Sequence, residues 1–154
     1  MKNLLIGRKE EQAILLKAIQ SDEPEMIAVL GRRRIGKTYL IRSVYKDRIR
    51  FEISGLQNAN LKKQLNNFAF QLSASFGEQA PAKQPESWLE AFQQLIICLS
   101  KTAVTQETVL FFDELPWLAS RKSGFLEGLG FFWNSWASKK NIVVVICGSA
   151  ASWM

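Results

Sequence analysis

The hydrophobic positions along the chain follow two spacings, which predict short strands separated by helices. In some segments apolar residues recur every three or four positions, as on one face of a helix; in others they form short runs or alternate with polar residues, as in strands. The predicted helices cover approximately residues 9–20, 37–45, 58–76, 88–101 and 124–138. The predicted strands cover residues 25–31, 48–54, 107–114 and 141–149.

This order of elements predicts an α/β fold. Short apolar strands that alternate with helices form a parallel sheet with helices on both faces, so we expect three layers, αβα. The segment 77–86, which contains Pro81 and Pro85, is expected to be a surface loop rather than a domain boundary. A chain of 154 residues suits one domain, spanning residues 1–154.

Composition excludes several classes of protein. No apolar run approaches the ~20 residues that span a bilayer, and the N-terminus does not resemble a secretory signal, so we expect a cytoplasmic protein that does not bind membranes. The chain has no histidine, which excludes Ser-His-Asp and Cys-His catalytic arrangements. The only cysteines, Cys98 and Cys147, lie in apolar surroundings and are expected to be buried free thiols.

The positive charge is concentrated in one segment. The net charge is +6, and residues 32–50 contain eight basic residues against one acid, Asp47. The basic residues are Arg32, Arg33, Arg34, Lys37, Arg42, Lys46, Arg48 and Arg50. Whatever anion the protein binds, this segment is the first candidate for the site.

Within that segment, residues 31–38 fit the pattern G-x-x-x-x-G-K-[ST] between a predicted strand and a predicted helix. In such a loop, backbone amides and the helix N-terminus converge on phosphate groups. Gly31 permits the turn out of the strand, and Gly36 lets the backbone approach the phosphates. Lys37 would reach the β- and γ-phosphates, and the Thr38 hydroxyl would bind Mg²⁺. An ordinary charged turn and a basic patch for nucleic acid are the alternatives for this loop.

Two further sites follow predicted strands. Asp113 ends the run "VLFFD", where a nucleotide-binding protein of this kind needs a carboxylate for Mg²⁺, and Glu114 could deprotonate the attacking water. Ser149 follows the fourth strand, where its hydroxyl could bond the γ-phosphate or that water. Acidic strand ends and Gly-Ser turns without a functional role are also common.

Taken in order, these motifs resemble the AAA+/STAND class of P-loop ATPases, in particular the archaeal-type predicted ATPases of prokaryotes. The matching segments are Ile6-Gly7-Arg8 with Glu10-Glu11, "GRRRIGKT", "LFFDELPWL" and "VVVICGSAASWM". The resemblance implies a core with strand order 5-1-4-3-2, truncated here before the fifth strand and the helical lid, so that the first strand becomes a sheet edge. It also implies ATP and Mg²⁺ as cofactors.

The resemblance assigns site residues as well. Catalysis would depend on Lys37, Glu114 and Ser149, and the metal would be held by Thr38 and Asp113. The nucleotide would be bound by Ile6, Gly7, Arg8, Gly31, Arg32, Arg33, Arg34, Ile35, Gly36, Lys37, Thr38 and Tyr39.

Three functional hypotheses remain open from sequence. The first is an ATPase that binds ATP and releases ADP, with a DNA or protein partner bound through C-terminal domains beyond this chain, and with a homo-oligomer left open. The second is a nucleotide-dependent conformational switch with slow hydrolysis. The third is a nucleic-acid-binding module that uses the basic loop and the following helix.

Overall fold

The computed structural model of the chain describes residues 9–31, 36–101 and 108–149. In this part of the chain, four strands alternate with helices, as the hydrophobic pattern predicts. The strands are β1 (Glu25–Gly31), β2 (Ile49–Ser54), β3 (Thr108–Asp113) and β4 (Ile142–Ser149). The helices are α1 (Lys9–Gln20), α2 (Lys37–Val44), α3 (Leu61–Phe76), α4 (Trp88–Ser100), α5 (Leu115–Leu118) and α6 (Phe125–Ser135). Short 3₁₀ turns follow α3 at Gly77–Gln79 and α6 at Ala137–Lys139.

The four strands form one parallel sheet in the order β1-β4-β3-β2. The α/β fold class and the parallel sheet are therefore confirmed, and the order of these strands is the one that the resemblance implied. Because all four strands run the same way, their carboxyl ends lie at one edge of the sheet. That edge contains Gly31, Asp113 and Ser149, three of the residues predicted to form the site.

One face of the sheet is covered by α3, α4 and α6. The strands contribute alternate residues to this face, such as Phe51 from β2 and Phe112 from β3, and both are buried. The helices add an aromatic cluster in which neighbouring ring centroids lie 5.0–6.5 Å apart. Its members are Phe51, Phe68, Phe76, Trp88, Phe92, Phe112, Phe125 and Phe132. Phe125 and Phe132 of α6 therefore belong to the core.

The opposite face is covered by α1 and α2. Val109 and Phe111 of β3 point to this side, where they pack with buried residues of both helices. Tyr45, just after α2, is buried and donates a hydrogen bond of 2.6 Å from its hydroxyl to the carbonyl oxygen of Leu15 in α1. This bond joins the two helices, and burial raises the pKa of the Tyr45 hydroxyl.

β1 is only half covered, although its apolar sequence is typical of a buried strand. Ile27 and Val29 pack towards α1 and α2, but on the other face Met26 is 39% exposed and Leu30 is 51% exposed. The reason is its position: β1 is at an edge of the described sheet, and α6 does not cover that face of it.

The remaining differences from the predicted elements are at helix ends. α3 begins at Leu61 because the side chain of Asn60 accepts a hydrogen bond of 2.9 Å from the Lys63 amide and so caps the helix. The four-residue α5 was not predicted at all. Of the helices described, none is both long enough and apolar enough to cross a membrane.

Candidate nucleotide-binding site

The carboxyl edge of the sheet brings together residues from separate sequence motifs. Gly31, at the end of β1, pairs in register with Ser149 at the end of β4, while Asp113 ends β3 between β4 and β2. The backbone of Ser149 is part of β4, but its side chain lies outside the described part of the chain. Residues predicted from three motifs are thus neighbours at one edge, because each motif directly follows a parallel strand.

The helix after β1 begins at a glycine with a left-handed backbone. Gly36 has φ 77° and ψ 23°, a conformation that side chains disfavour, and its carbonyl accepts the first helical bond from the Leu40 amide at 2.9 Å. The first turn of α2 contains Lys37, Thr38 and Tyr39, whose amides have no acceptor within the helix and carry the positive end of its dipole. This end of α2 can bind an anion.

Several predicted binding residues lie outside the described part of the chain. They are Arg32, Arg33, Arg34 and Ile35 in the loop, and Ile6, Gly7 and Arg8 before α1. Their assignment to the nucleotide therefore remains a prediction. Tyr39 is half-buried in the first turn of α2, at the predicted location.

Thr38 and Asp113 are in direct contact, although 75 positions separate them in sequence. The Thr38 hydroxyl donates a hydrogen bond of 2.6 Å to Oδ2 of Asp113. Oδ1 of the same carboxylate accepts the amide N–H of Glu114 at 2.8 Å, and Asp113 is only 6% exposed. A buried carboxylate is thus held through both oxygens beside a hydroxyl, and these are the ligand types that Mg²⁺ prefers.

Lys37 and Cys147 complete the buried part of this site. Lys37 is 8% exposed, which is unusual for lysine, and its positive charge acts on the thiol of Cys147. That thiol forms a hydrogen bond with Asp113. Burial, with the negative charge of Asp113, raises the pKa of Cys147 to about 12, so the thiol stays protonated at neutral pH. Cys147 was expected to be a buried free thiol, and this is confirmed; its contact with Asp113 was not foreseen.

Glu114 follows Asp113 with a backbone conformation that is rare for a residue with a side chain. Its φ is 54° and its ψ is 47°, in the left-handed region. It caps the start of α5, where its carbonyl accepts a hydrogen bond of 3.0 Å from the Trp117 amide. Glu114 is half-buried, and its negative charge adds slightly to the raised pKa of Cys147.

Two glycines of this site were given no role in the sequence analysis. Gly55 follows β2 and packs against the carbonyl oxygen of Glu114, and Gly148 of β4 packs against the ring of Pro116. Each glycine stands where a strand that flanks β3 passes the turn at Glu114. A glycine next to a strand end is the only hint that the sequence contains.

Comparisons with solved structures show that this fold recurs in other proteins. The DNA-bound Drosophila ORC and the Aeropyrum pernix Orc1 protein in complex with DNA each match with a TM-score of 0.60, at 20% and 16% identity. These matches cover 92% and 94% of this chain, but 37% and 38% of the matched chains. A Walker-type ATPase of Pyrococcus abyssi matches with a TM-score of 0.54 and 20% identity, over 91% of this chain and 44% of that one.

The chain therefore spans about two fifths of the length of these similar structures. A search of curated proteins found no significant match. The sequence does match a family model described as an ATPase domain predominantly from Archaea, over residues 5–154. This match covers nearly the whole chain and includes the loop, the β3 carboxylates and the end of β4. The chain belongs to this family of ATPase domains.

Proposed function

We propose that the chain binds ATP together with Mg²⁺ at the carboxyl edge of its sheet and hydrolyses it to ADP and phosphate. The observation that carries this proposal is the contact of 2.6 Å between the Thr38 hydroxyl and the Asp113 carboxylate, beside the buried Lys37. A basic patch or a charged turn would not need a buried carboxylate in contact with the loop. A phosphate-and-metal site does.

The phosphates are bound by the start of α2. The first-turn amides of this helix and the Lys37 ammonium supply positive charge at one point, and Gly36 leaves room for the backbone to approach. Gly31 and residues 32–35 complete the loop, and residues 6–8 line the adenine. Catalysis of phosphoryl transfer depends mostly on positioning and on stabilising the developing charge, so a preformed cationic end of this kind is suited to it.

Thr38 and Asp113 are the residues that hold the metal. Both offer oxygen atoms, and both point to the same place, so the donor set fits Mg²⁺. When bound, the ion neutralises charge on the phosphate oxygens. The hydrogen bond from the Glu114 amide and the bond with the Cys147 thiol keep the Asp113 carboxylate oriented.

Glu114 acts as the general base. It lies one residue beyond the carboxylate proposed to bind the metal, and it is half-buried at the same edge of the sheet. Its carboxylate can accept a proton from the water that attacks the γ-phosphate. Ser149, whose backbone is at the same edge, positions the γ-phosphate or this water.

The basic residues after the loop give less support to a nucleic-acid-binding role. A cleft of about 420 Å³ at the outer edge of β2 is lined by Arg42, Lys46 and Arg50. However, Arg42 is paired with Glu52, and Arg50 donates a hydrogen bond of 2.6 Å to the Ser75 carbonyl oxygen. These two arginines serve contacts within the fold. We therefore do not propose that DNA binds through this cleft.

The proposal is tested by replacing Lys37 with alanine and measuring affinity for a slowly hydrolysed ATP analogue by calorimetry, with and without Mg²⁺. We expect Lys37→Ala to abolish measurable binding, because the cation that faces the β- and γ-phosphates is removed. Lys46→Ala is the matched control, since Lys46 follows the same helix but is exposed. Unchanged affinity in Lys37→Ala, or equal loss in both variants, would contradict the proposal.

A further inference from the structure

The backbone conformation of Glu114 is the most strained feature of the site. Left-handed backbone is disfavoured for a residue with a side chain, so it persists only where the surrounding structure stabilises it. Glycine or asparagine would adopt this conformation more readily, yet the position holds a glutamate. The contacts around residues 114–117 therefore need to account for it.

Gly55 closes one side of the turn. A Cβ atom added at Gly55 would lie 2.7 Å from the carbonyl oxygen of Glu114 and 2.9 Å from Cβ of Trp117. Carbon atoms do not approach so closely, and the first of these neighbours is backbone that cannot rotate away. In addition, the Gly55 amide donates a hydrogen bond of 3.0 Å to the Asp113 carbonyl, which fixes Gly55 beside the turn.

Gly148 closes the other side. A Cβ atom added there would lie 2.7 Å from Cδ of Pro116, and the pyrrolidine ring has little freedom to move. Because β2 and β4 flank β3, the turn that leaves β3 is enclosed between a glycine from each neighbouring strand or its end. Neither glycine has a positive φ, so backbone freedom does not require glycine at either position. Glycine is required at both positions because neighbouring atoms lie too close to leave room for a Cβ atom.

Gln64 forms hydrogen bonds with the segment after Gly55 and with the helix after Glu114. This buried side chain of α3 donates from Nε2 to the Leu56 carbonyl at 2.8 Å and to the Trp117 carbonyl at 3.3 Å. Its Oε1 accepts the Leu56 amide at 3.0 Å. The segment after Gly55 and the helix after Glu114 are thereby joined to each other, so the close contact at Gly55 cannot relax by simple separation.

We infer that Gly55 and Gly148 are positioning residues: they leave the space that the left-handed backbone of Glu114 needs, and this backbone directs its carboxylate to the site formed by Lys37 and Asp113. The inference rests on the proposed function in treating Glu114 as the base. None of the atoms nearest to a Cβ at either glycine belongs to α2, the helix proposed to bind the phosphates. Replacement of the two glycines should therefore impair turnover and spare nucleotide binding.

The experiment compares Gly55→Ala and Gly148→Ala with two other glycine variants. Gly128→Ala introduces an equally close contact, 2.9 Å from Cδ2 of Phe92, but in the core between α4 and α6. Gly130→Ala meets nothing within 4 Å. Steady-state ATPase rates, affinity for the ATP analogue and thermal unfolding are measured for all four. Gly128→Ala controls for loss of stability alone, and Gly130→Ala for the substitution itself.

We expect kcat to fall roughly 10- to 100-fold in Gly55→Ala and Gly148→Ala, with KM and analogue affinity within about twofold of the original, since small misplacement of a reacting group has effects of this size. Gly128→Ala should lower the unfolding temperature and leave kcat unchanged below it. Removing the Pro116 ring in Gly148→Ala/Pro116→Ala should restore much of the rate. Unchanged kcat in Gly55→Ala, or losses of kcat that merely follow unfolding temperature across the series, would overturn the inference.

A second measurement separates this inference from the proposed function. The φ angle of Glu114 is read from backbone NMR shifts and couplings in the original chain and in the variants, which requires no turnover. We expect positive φ in the original chain and in Gly130→Ala, and its loss in Gly55→Ala. If the chain binds no ATP but φ responds in this way, the proposed function fails and the positioning role of Gly55 stands. If φ of Glu114 stays positive in Gly55→Ala, the positioning role is wrong.

Discussion

Asp113 receives hydrogen bonds from three parts of the chain. The Thr38 hydroxyl comes from the start of α2, the Glu114 amide from the following residue, and the Cys147 thiol from β4. A carboxylate held in this way is oriented before any ligand arrives, and such preorganisation is what precise metal and phosphate sites require. Glu114 differs, because its position is set through its backbone rather than through bonds to its side chain.

At the scale of single residues, the most specific prediction concerns Glu114. Replacing it with glutamine keeps size and shape but removes a group that can accept a proton, so turnover of ATP should fall by about 10²–10⁴-fold. Affinity for the ATP analogue should stay within about twofold. The measurement is single-turnover hydrolysis at saturating ATP, with the exposed Glu127→Gln of α6 as control. Equal turnover in the original chain and Glu114→Gln would remove Glu114 from the mechanism.

The sequence motifs predicted part of this arrangement. Thr38 and Asp113 could be placed together because each follows a strand at a recognised spacing, and parallel strands end at the same edge. The thiol contact of Cys147 and the left-handed backbone of Glu114 could not. Both depend on the side-by-side placement of β2, β3 and β4, which no local pattern encodes.

At the scale of elements, the long helices were predictable and the short α5 was not. α3 and α4 present apolar residues at helical spacing over several turns, and each begins at a capping side chain visible in the sequence, Asn60 or Ser87. α5 has only four residues and includes Pro116. Its conformation is set by Gly55, Gln64 and Gly148 from elsewhere in the chain, so local propensity carries little information there.

The N-cap of α4 gives a prediction for stability. The Ser87 hydroxyl accepts the Glu90 amide at 3.1 Å, and loss of such a cap typically costs about 1 kcal/mol. For a chain of this size, Ser87→Ala should lower the unfolding temperature by roughly 2–4 °C. Ser87→Asp keeps an oxygen acceptor and should unfold within about 1 °C of the original. Calorimetry measures both; equal losses in the two variants would show that the bond is not what stabilises this helix start.

At the scale of the whole molecule, the sheet order came from the resemblance and not from the hydrophobic pattern. The four strands are all short and apolar, so the pattern alone could not decide which of them are central. It also could not reveal that β1 has one covered face and one exposed face. Which strand is central depends on the path of the helical connections, and that is a property of the family's topology.

The reactivity of the two cysteine thiols can be used to test whether the two faces of the sheet unfold together. Cys98 of α4 belongs to the core on one face of the sheet, and Cys147 of β4 belongs to the core beneath α1 and α2 on the opposite face. Both should resist iodoacetamide at pH 8 in the folded chain and react together on unfolding in urea. Mass spectrometry counts the modified sites. Modification of either thiol well below the urea midpoint would show that its face opens independently.

The position of β4 between β1 and β3 also determines when the sheet can be completed during synthesis. In the described sheet β1 pairs only with β4, which is the last strand of the four to leave the ribosome. Contacts between segments so distant along the chain form slowly, because a long loop must close first. β2 and β3 can pair earlier, together with the helices that cover them. The loop that follows β1 therefore acquires β4, its supporting strand, only after the other three strands of the described sheet have been synthesised.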